Sequence, residues 1–176
     1  MVEHRVGWLD PVFVALSVVG YAGLVWILLA PLLSVLGKRD PFFGLGLTAA
    51  CVWSADLIAL GIKAAAARPR PSESIPGVDT LLDATVGQSL PSGHAATSFA
   101  GAVILTYLLP RFAPLAFLLA VAISFSRIYV GVHYASDVLA GAALGTAVAL
   151  TALALLRLRR RTSAGPRQSE GAPPAG

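Results

Sequence analysis

The sequence predicts an all-α protein, a polytopic transmembrane helix bundle of about five spans. Three observations carry that prediction. The 176 residues are 56% hydrophobic, with a mean hydropathy of +0.76 and only 12% charged residues, a balance that belongs to membrane proteins rather than soluble domains. The apolar residues fall in long runs, each close to the ~20 residues a helix needs to cross a bilayer. Short polar turns marked by Pro, Gly and charges separate most of the runs. The length suits one compact bundle and leaves no room for a second domain.

In chain order, residues 1–10 are a polar lead with Trp8 as an interface anchor. His4 reads as part of that solvated lead. Residues 11–36 are apolar and uncharged. They lack a basic n-region and are too long for an h-region, so they read as a retained span and not a signal peptide. A polar turn, Gly37 to Pro41, leads to a second span over 42–67. Residues 68–91 form the one long polar loop, rich in Pro, Ser, Gly and Asp. A third span runs from Ser92 to Leu109, and Pro110-Arg111 turns the chain. The fourth covers 112–129 and the fifth 134–156. Residues 1–156 thus form one membrane-embedded domain. Residues 157–176, with Arg157, Arg159, Arg160, Arg161 and Arg167, form a basic tail expected to be disordered.

Charge sets sidedness and excludes one partner class. Of the 13 Lys and Arg residues, eight (Lys38, Arg39, Arg111 and the five tail arginines) fall on one side of the predicted bundle. On the other side only Arg5 and Arg68 lie outside the motifs described next. Basic loops face the cytoplasm, so the tail is expected to be cytoplasmic and the N-terminus outside. The basic residues divide between the motifs and one membrane flank, which excludes nucleic acid as a partner. Cys51 is the single cysteine, so neither an internal disulfide nor a cysteine zinc cluster can form. Gly141 and Gly145 with neighbouring alanines suit close helix packing within the monomer, with a dimer seam as the sharper alternative.

Three segments carry chemistry. The first is Lys63, six residues, then Arg70-Pro71; the second is Pro91-Ser92-Gly93-His94; the third is Ser126-Arg127, five residues, His133, three residues, Asp137. Each lies at the end of an apolar run on the same predicted side, where charged groups are costly and so usually functional. His133 and Asp137 stand four apart on one helix face, so the carboxylate can fix the tautomer and leave the other ring nitrogen free to attack. Taken alone, the pair is equally compatible with a structural role. Ser92 suits a helix cap, and Gly93 allows an anion to approach backbone N–H groups. A histidine there, His94, can protonate a leaving oxygen. Taken alone, this segment is also an ordinary capped turn. Lys63, Arg70 and Arg127 can stabilise charge on a transferring phosphoryl group, and Pro69 and Pro71 stiffen the backbone that aims Arg70. For each cation the alternative is snorkelling at the headgroup level; for Arg68 that, or contact with a lipid headgroup, is the preferred reading. Asp56 lies two turns deeper than Lys63 and needs a partner, either Lys63 or a polar group on a neighbouring span; a protonated structural role is an equal alternative, so it is not counted among the catalytic residues.

With every spacing intact, the three segments resemble the signature of the type-2 phosphatidic acid phosphatase superfamily, the lipid phosphate phosphatases, over roughly residues 42–156. The resemblance implies His133 as the nucleophile that forms a phosphohistidine, Asp137 as its orienting partner and His94 as the general acid. It implies Lys63, Arg70 and Arg127 as phosphate ligands aided by Ser92 and the Gly93 backbone. Ser126 is implied to support Arg127, with Pro71 and Pro91 shaping their turns. It also implies that no metal or other cofactor is needed. Many membrane members have six spans, two of them before the span that leads to the Lys segment; this chain has only one span before it and looks like a minimal core version. That leaves open how the lipid tail is gripped and whether a partner or a second copy completes the bundle.

The function this implies is removal of a terminal phosphate from a membrane lipid phosphate or diphosphate at the extracytoplasmic face of a cell membrane. Family analogy favours a polyprenyl diphosphate carrier. Phosphatidylglycerophosphate, phosphatidate and polyprenyl-linked phosphosugars stay open. A vanadate-dependent haloperoxidase shares the pocket but is a large soluble protein. A non-catalytic lipid-binding or transport protein is the third alternative.

Overall fold

The computed structural model describes residues 5–82 and 87–163, and among these all regular structure is helical. The helices are α1 (Asp10–Val19), α2 (Leu24–Leu36), α3 (Pro41–Ala66), the single turn α4 (Pro71–Ser74), α5 (Gly93–Leu108), α6 (Ala113–Tyr129) and α7 (Ala135–Ser163), with short 3₁₀ turns at Gly7–Leu9, Tyr21–Gly23 and Pro110–Phe112. The predicted boundaries at Pro and Gly hold. Asp40 caps α3 by accepting from the Phe43 N–H at 2.6 Å, with Pro41 in the first turn. Helix α3 stops where Ala67 turns left-handed (φ 45°), just before Arg68-Pro69-Arg70-Pro71.

Helix α5 is the axis of the bundle. It packs against α2, α3, α6 and α7, and ten of its 16 residues are buried. Small residues make this possible. A Cβ on Gly101 would stand 2.3 Å from Cγ of Trp26, which is fully buried between α2 and α5. A Cβ on Gly145 would stand 2.0 Å from the Ala96 carbonyl oxygen, and one on Gly141 2.3 Å from that of Ser92. The Gly141/Gly145 pair therefore packs α7 onto α5 within the monomer. The Ser92 N–H also donates to the Asp137 carbonyl at 2.9 Å, tying the starts of the two helices together. On the outside, Leu28, Leu57, Leu118 and Leu139 are each at least 66% exposed, as expected of surfaces that face lipid.

The structure modifies three expectations. The count of five spans is not confirmed: among the described residues α3, α6 together with its preceding 3₁₀ turn (Pro110–Tyr129) and α7 are long and apolar enough to cross a membrane, and α1–α2 add a fourth if the bent pair is one span. At 16 residues, α5 is roughly 24 Å long, against a hydrocarbon core of about 30 Å; its neighbours, not lipid, cover much of it. Second, residues 11–36 are two helices that meet at 47°, broken at Tyr21–Gly23, where Ala22 and Gly23 take φ of 49° and 68°. Third, α7 continues past Leu156 through Arg157, Arg159, Arg160 and Arg161 to Ser163, because Arg and Leu are good helix formers and cations suit a helix C-terminus. His4 and residues 164–176, including Arg167, lie outside the described residues.

Candidate active site

Helix polarity gathers the motif residues at one end of the bundle. Lys63 is in the last turns of α3, His94 in the first turn of α5, Arg127 near the end of α6, and Asp137 in the first turn of α7. Arg70 and His133 sit on the connections. One cavity of about 250 Å³ is lined by Lys63, Arg70, Gly93, His94, Arg127 and His133, together with Tyr21, Ala22, Asp56 and Thr97. Pockets that enclose drug-sized ligands run to about 300–1,000 Å³, so this volume suits a compact headgroup rather than a lipid tail.

The two site arginines are held by named partners. Arg70 is 5% exposed; its Nη1 donates to the Val132 carbonyl at 2.9 Å and its Nε to that of Gly87 at 2.8 Å. Glu73 accepts from the Arg70 backbone N–H at 3.1 Å, which fixes the turn into α4. Arg127 is equally buried, and its Nη1 donates to the Ser17 hydroxyl. The Arg127 carbonyl accepts from the N–H groups of Val132 and His133, both at 3.2 Å, so one residue supplies a cation and holds the backbone of the next imidazole. Gly131 (φ 83°) makes that turn. Arg5, expected only as a topological charge, clamps the turn from outside through the carbonyls of Tyr129 (3.2 Å) and Asp79 (2.6 Å).

The two imidazoles differ in setting. His94 Nε2 lies 3.1 Å from the Ser17 carbonyl. A carbonyl only accepts, so Nε2 carries the hydrogen and Nδ1 is the nitrogen left to exchange a proton. His133 is 4% exposed. Its burial, reinforced by Arg70, Arg127 and Lys63 and opposed by Asp137, pushes the imidazole down to about 4, so it is neutral at ordinary pH.

Several expected details differ. Asp137 is fully buried behind His133, off the cavity wall, and its Oδ2 stands 3.5 Å from His133 Nδ1, too far for a hydrogen bond; that Nδ1 has no partner among the described residues. The carboxylate is engaged elsewhere. Oδ1 accepts from Arg68 Nη1 at 2.8 Å, and Oδ2 from the Tyr134 N–H at 2.9 Å. Arg68 therefore does not snorkel: it pairs with Asp137, bonds Ser136 Oγ at 2.8 Å and stacks over the Tyr134 ring at 4.1 Å. Ser92 is buried, makes no side-chain cap and has no partner for its hydroxyl among the described residues. Ser126 Oγ donates to the Ile123 carbonyl of its own helix at 2.6 Å, not to Arg127. Pro71 and Pro91 are buried at their turns. Asp56 lines the cavity, and its Oδ1 lies 2.9 Å from where a Cβ on Gly93 would stand, so only glycine fits there without displacing it.

Sequence reasoning missed Ser17, Tyr21, Ala22 and Thr97. The only signal for the first three was two hydroxyls, of Ser17 and Tyr21, and two glycines, Gly20 and Gly23, within an apolar run.

Comparison with known proteins adds independent findings. The family model of the PAP2 superfamily matches residues 42–161. The chain is 35% identical over 146 residues to an undecaprenyl-diphosphatase of Sulfolobus acidocaldarius, covering 81% of this chain and 68% of that one. It is 37% identical over 94 residues to a decaprenylphosphoryl-5-phosphoribose phosphatase of Mycobacterium tuberculosis, 53% of this chain and 51% of that one. Its fold is similar to the crystal structure of a transmembrane PAP2 type phosphatidylglycerolphosphate phosphatase from Bacillus subtilis, with a TM-score of 0.71 at 23% identity, over 89% of this chain and 81% of that one.

Proposed function

Since the chain belongs to the PAP2 superfamily, we propose that it is a multi-pass membrane phosphatase that removes a terminal phosphate from a polyprenyl diphosphate through a phosphohistidine, without a metal. The observation that carries this reading is the shared cavity: two imidazoles and three cationic side chains face one volume of headgroup size.

In the proposed reaction, the oxygens of the terminal phosphate are held by Lys63, Arg70 and Arg127. The Nδ1 of His133 lies on the Asp137 side, so Nε2 is the attacking nitrogen. As the N–P bond forms, the P–O bond to the leaving group breaks, and protonated His94 gives that oxygen its proton. The positive charge on phosphorylated His133 is offset by Asp137, which Arg68 and Tyr134 hold in place. Water then attacks phosphorus and gives a proton to neutral His94. The P–N bond breaks, and phosphate leaves with both histidines restored.

The diphosphate preference draws on the name of the Sulfolobus relative. The Mycobacterium relative favours a second reading, a polyprenyl-linked phosphosugar. For sidedness, the cavity lies at the bundle end opposite Lys38, Arg39 and the Arg157–Arg161 cluster, and the positive-inside rule puts that cluster in the cytoplasm and the site outside. The test is phosphate release by purified protein, with chelator present, from diphosphates and monophosphates of matched chain length. Release from polyprenyl diphosphate that His133→Ala abolishes supports the reading. Release only from phosphosugars moves it to the second, and chelator-sensitive release contradicts metal independence.

A further inference from the structure

We propose that Ser17 is a positioning residue of the phosphate site, supplied by α1 from outside the family-matched stretch of residues 42–161; this rests on the phosphatase reading above. Ser17 is 3% exposed and is the one polar residue of α1 after Asp10. A buried hydroxyl in an apolar helix commonly bonds the carbonyl four residues back. Ser34 does so to Ala30 and Thr48 to Gly44, each at 2.8 Å. Ser17 behaves differently. Its hydroxyl accepts from Arg127 Nη1, and its carbonyl accepts from His94 Nε2 at 3.1 Å. One residue thus touches a proposed phosphate ligand and the proposed general acid.

The helix break makes both contacts available. Helix α1 ends at Val19, so the Ser17 carbonyl is among the last four, which a helix end leaves without an intrahelical partner. Gly20 lets this end of α1 come close: a Cβ there would stand 2.4 Å from Ile123 Cγ2 and 3.0 Å from His94 Cδ2. Among the described residues the buried Arg127 Nε has no partner, and Ser17 is the side-chain contact that aims the guanidinium. With one Nη pinned, the remaining N–H groups are left for anion oxygens, the preorganisation a phosphoryl site requires.

The test is binding of orthovanadate, a phosphoryl-transfer mimic, to the full-length protein, read by calorimetry beside the melting temperature. The variants are Ser17→Ala, Ser17→Cys (close in shape, weak as an acceptor), Ser17→Thr (hydroxyl kept), Arg127→Ala, and Ser17→Ala with Arg127→Ala. The expected result is vanadate binding about tenfold weaker in Ser17→Ala and Ser17→Cys with the protein still folded at the assay temperature and only a small fall in melting temperature, and recovery of binding in Ser17→Thr. In the Arg127→Ala background, loss of the hydroxyl should have no further effect. Ser17→Cys binding like wild type overturns the inference, as does an equal loss with and without Arg127. In those cases weakened binding by Arg127→Ala alone leaves the phosphatase reading standing; failure of wild type to bind vanadate overturns both.

Discussion

Asp137 stands 3.5 Å from His133 while its two oxygens are engaged by Arg68 (2.8 Å) and the Tyr134 N–H (2.9 Å). The carboxylate is thus fixed before any substrate arrives, and the ring needs to move only a few tenths of an ångström to meet it. Catalytic hydrogen bonds commonly tighten this way when substrate binds. Arg68 should then act through Asp137. Arg68→Ala is expected to lower kcat by about tenfold, by analogy with outer-shell partners, with Asp137→Asn costing more. Equal activity of Arg68→Ala and wild type in a steady-state assay would remove Arg68 from the chain of orientation.

The setting of His133 makes a spectroscopic prediction. Its imidazole is pushed down to about 4 by burial, against about 6.5 in an unfolded chain. Between those values the native ring is neutral while the unfolded one binds a proton. Its contribution to stability is therefore present above about 6.5 and is lost as pH falls toward 4. Histidine ring NMR of the substrate-free protein in detergent, assigned with His133→Gln, should show this resonance still neutral at pH values where an exposed histidine has titrated. A midpoint in the ordinary imidazole range would contradict the burial argument.

Gly20 should be sensitive in function. The clash of an added Cβ with Ile123 and the His94 ring predicts that Gly20→Ala lowers kcat at least tenfold and lowers the melting temperature, since packed interiors absorb such contacts poorly. Gly46 provides the control: a Cβ there meets nothing within 4 Å. Gly46→Ala should leave turnover intact and stabilise by up to about 1 kcal/mol through helix propensity. Turnover assays with thermal unfolding of both variants check the pair.

Gly145 should be sensitive in stability. A side chain there meets the Ala96 backbone 2.0 Å away, and backbone cannot rotate aside. Gly145→Val is expected to destabilise by about 1–3 kcal/mol or more and to separate the starts of α5 and α7, so activity should fall with the melting temperature. Retention of both would mean that α7 does not pack on α5 in this way.

Much of this site was legible because its residues declare themselves by chemistry. Charges and imidazoles at the ends of apolar runs are conspicuous, and Lys63, Arg70, His94, Arg127 and His133 do share one cavity. Helix ends were legible where Asp40-Pro41 and Pro110-Arg111 interrupt the hydrophobic runs. The break at Tyr21–Gly23 was not, because Gly20 to Gly23 carries no charge or proline and reads as apolar chain. The short α5 was hidden for a related reason: hydropathy does not distinguish a surface covered by lipid from one covered by other helices. Arg68 was misjudged because its partner lies 69 residues away, and Ser17 because its contacts, to Arg127 and His94, are more distant still.

The central claim is that His133 takes the phosphoryl group inside a cavity shared with His94 and the three cations. Trapping the intermediate tests it most directly. Protein quenched during turnover of phosphorus-radiolabelled substrate should carry label that survives alkali and is lost in acid, as a P–N bond requires. The label should map to the peptide containing His133, and His133→Ala should carry none. Label on another residue, or undiminished turnover by His133→Ala, would contradict the account.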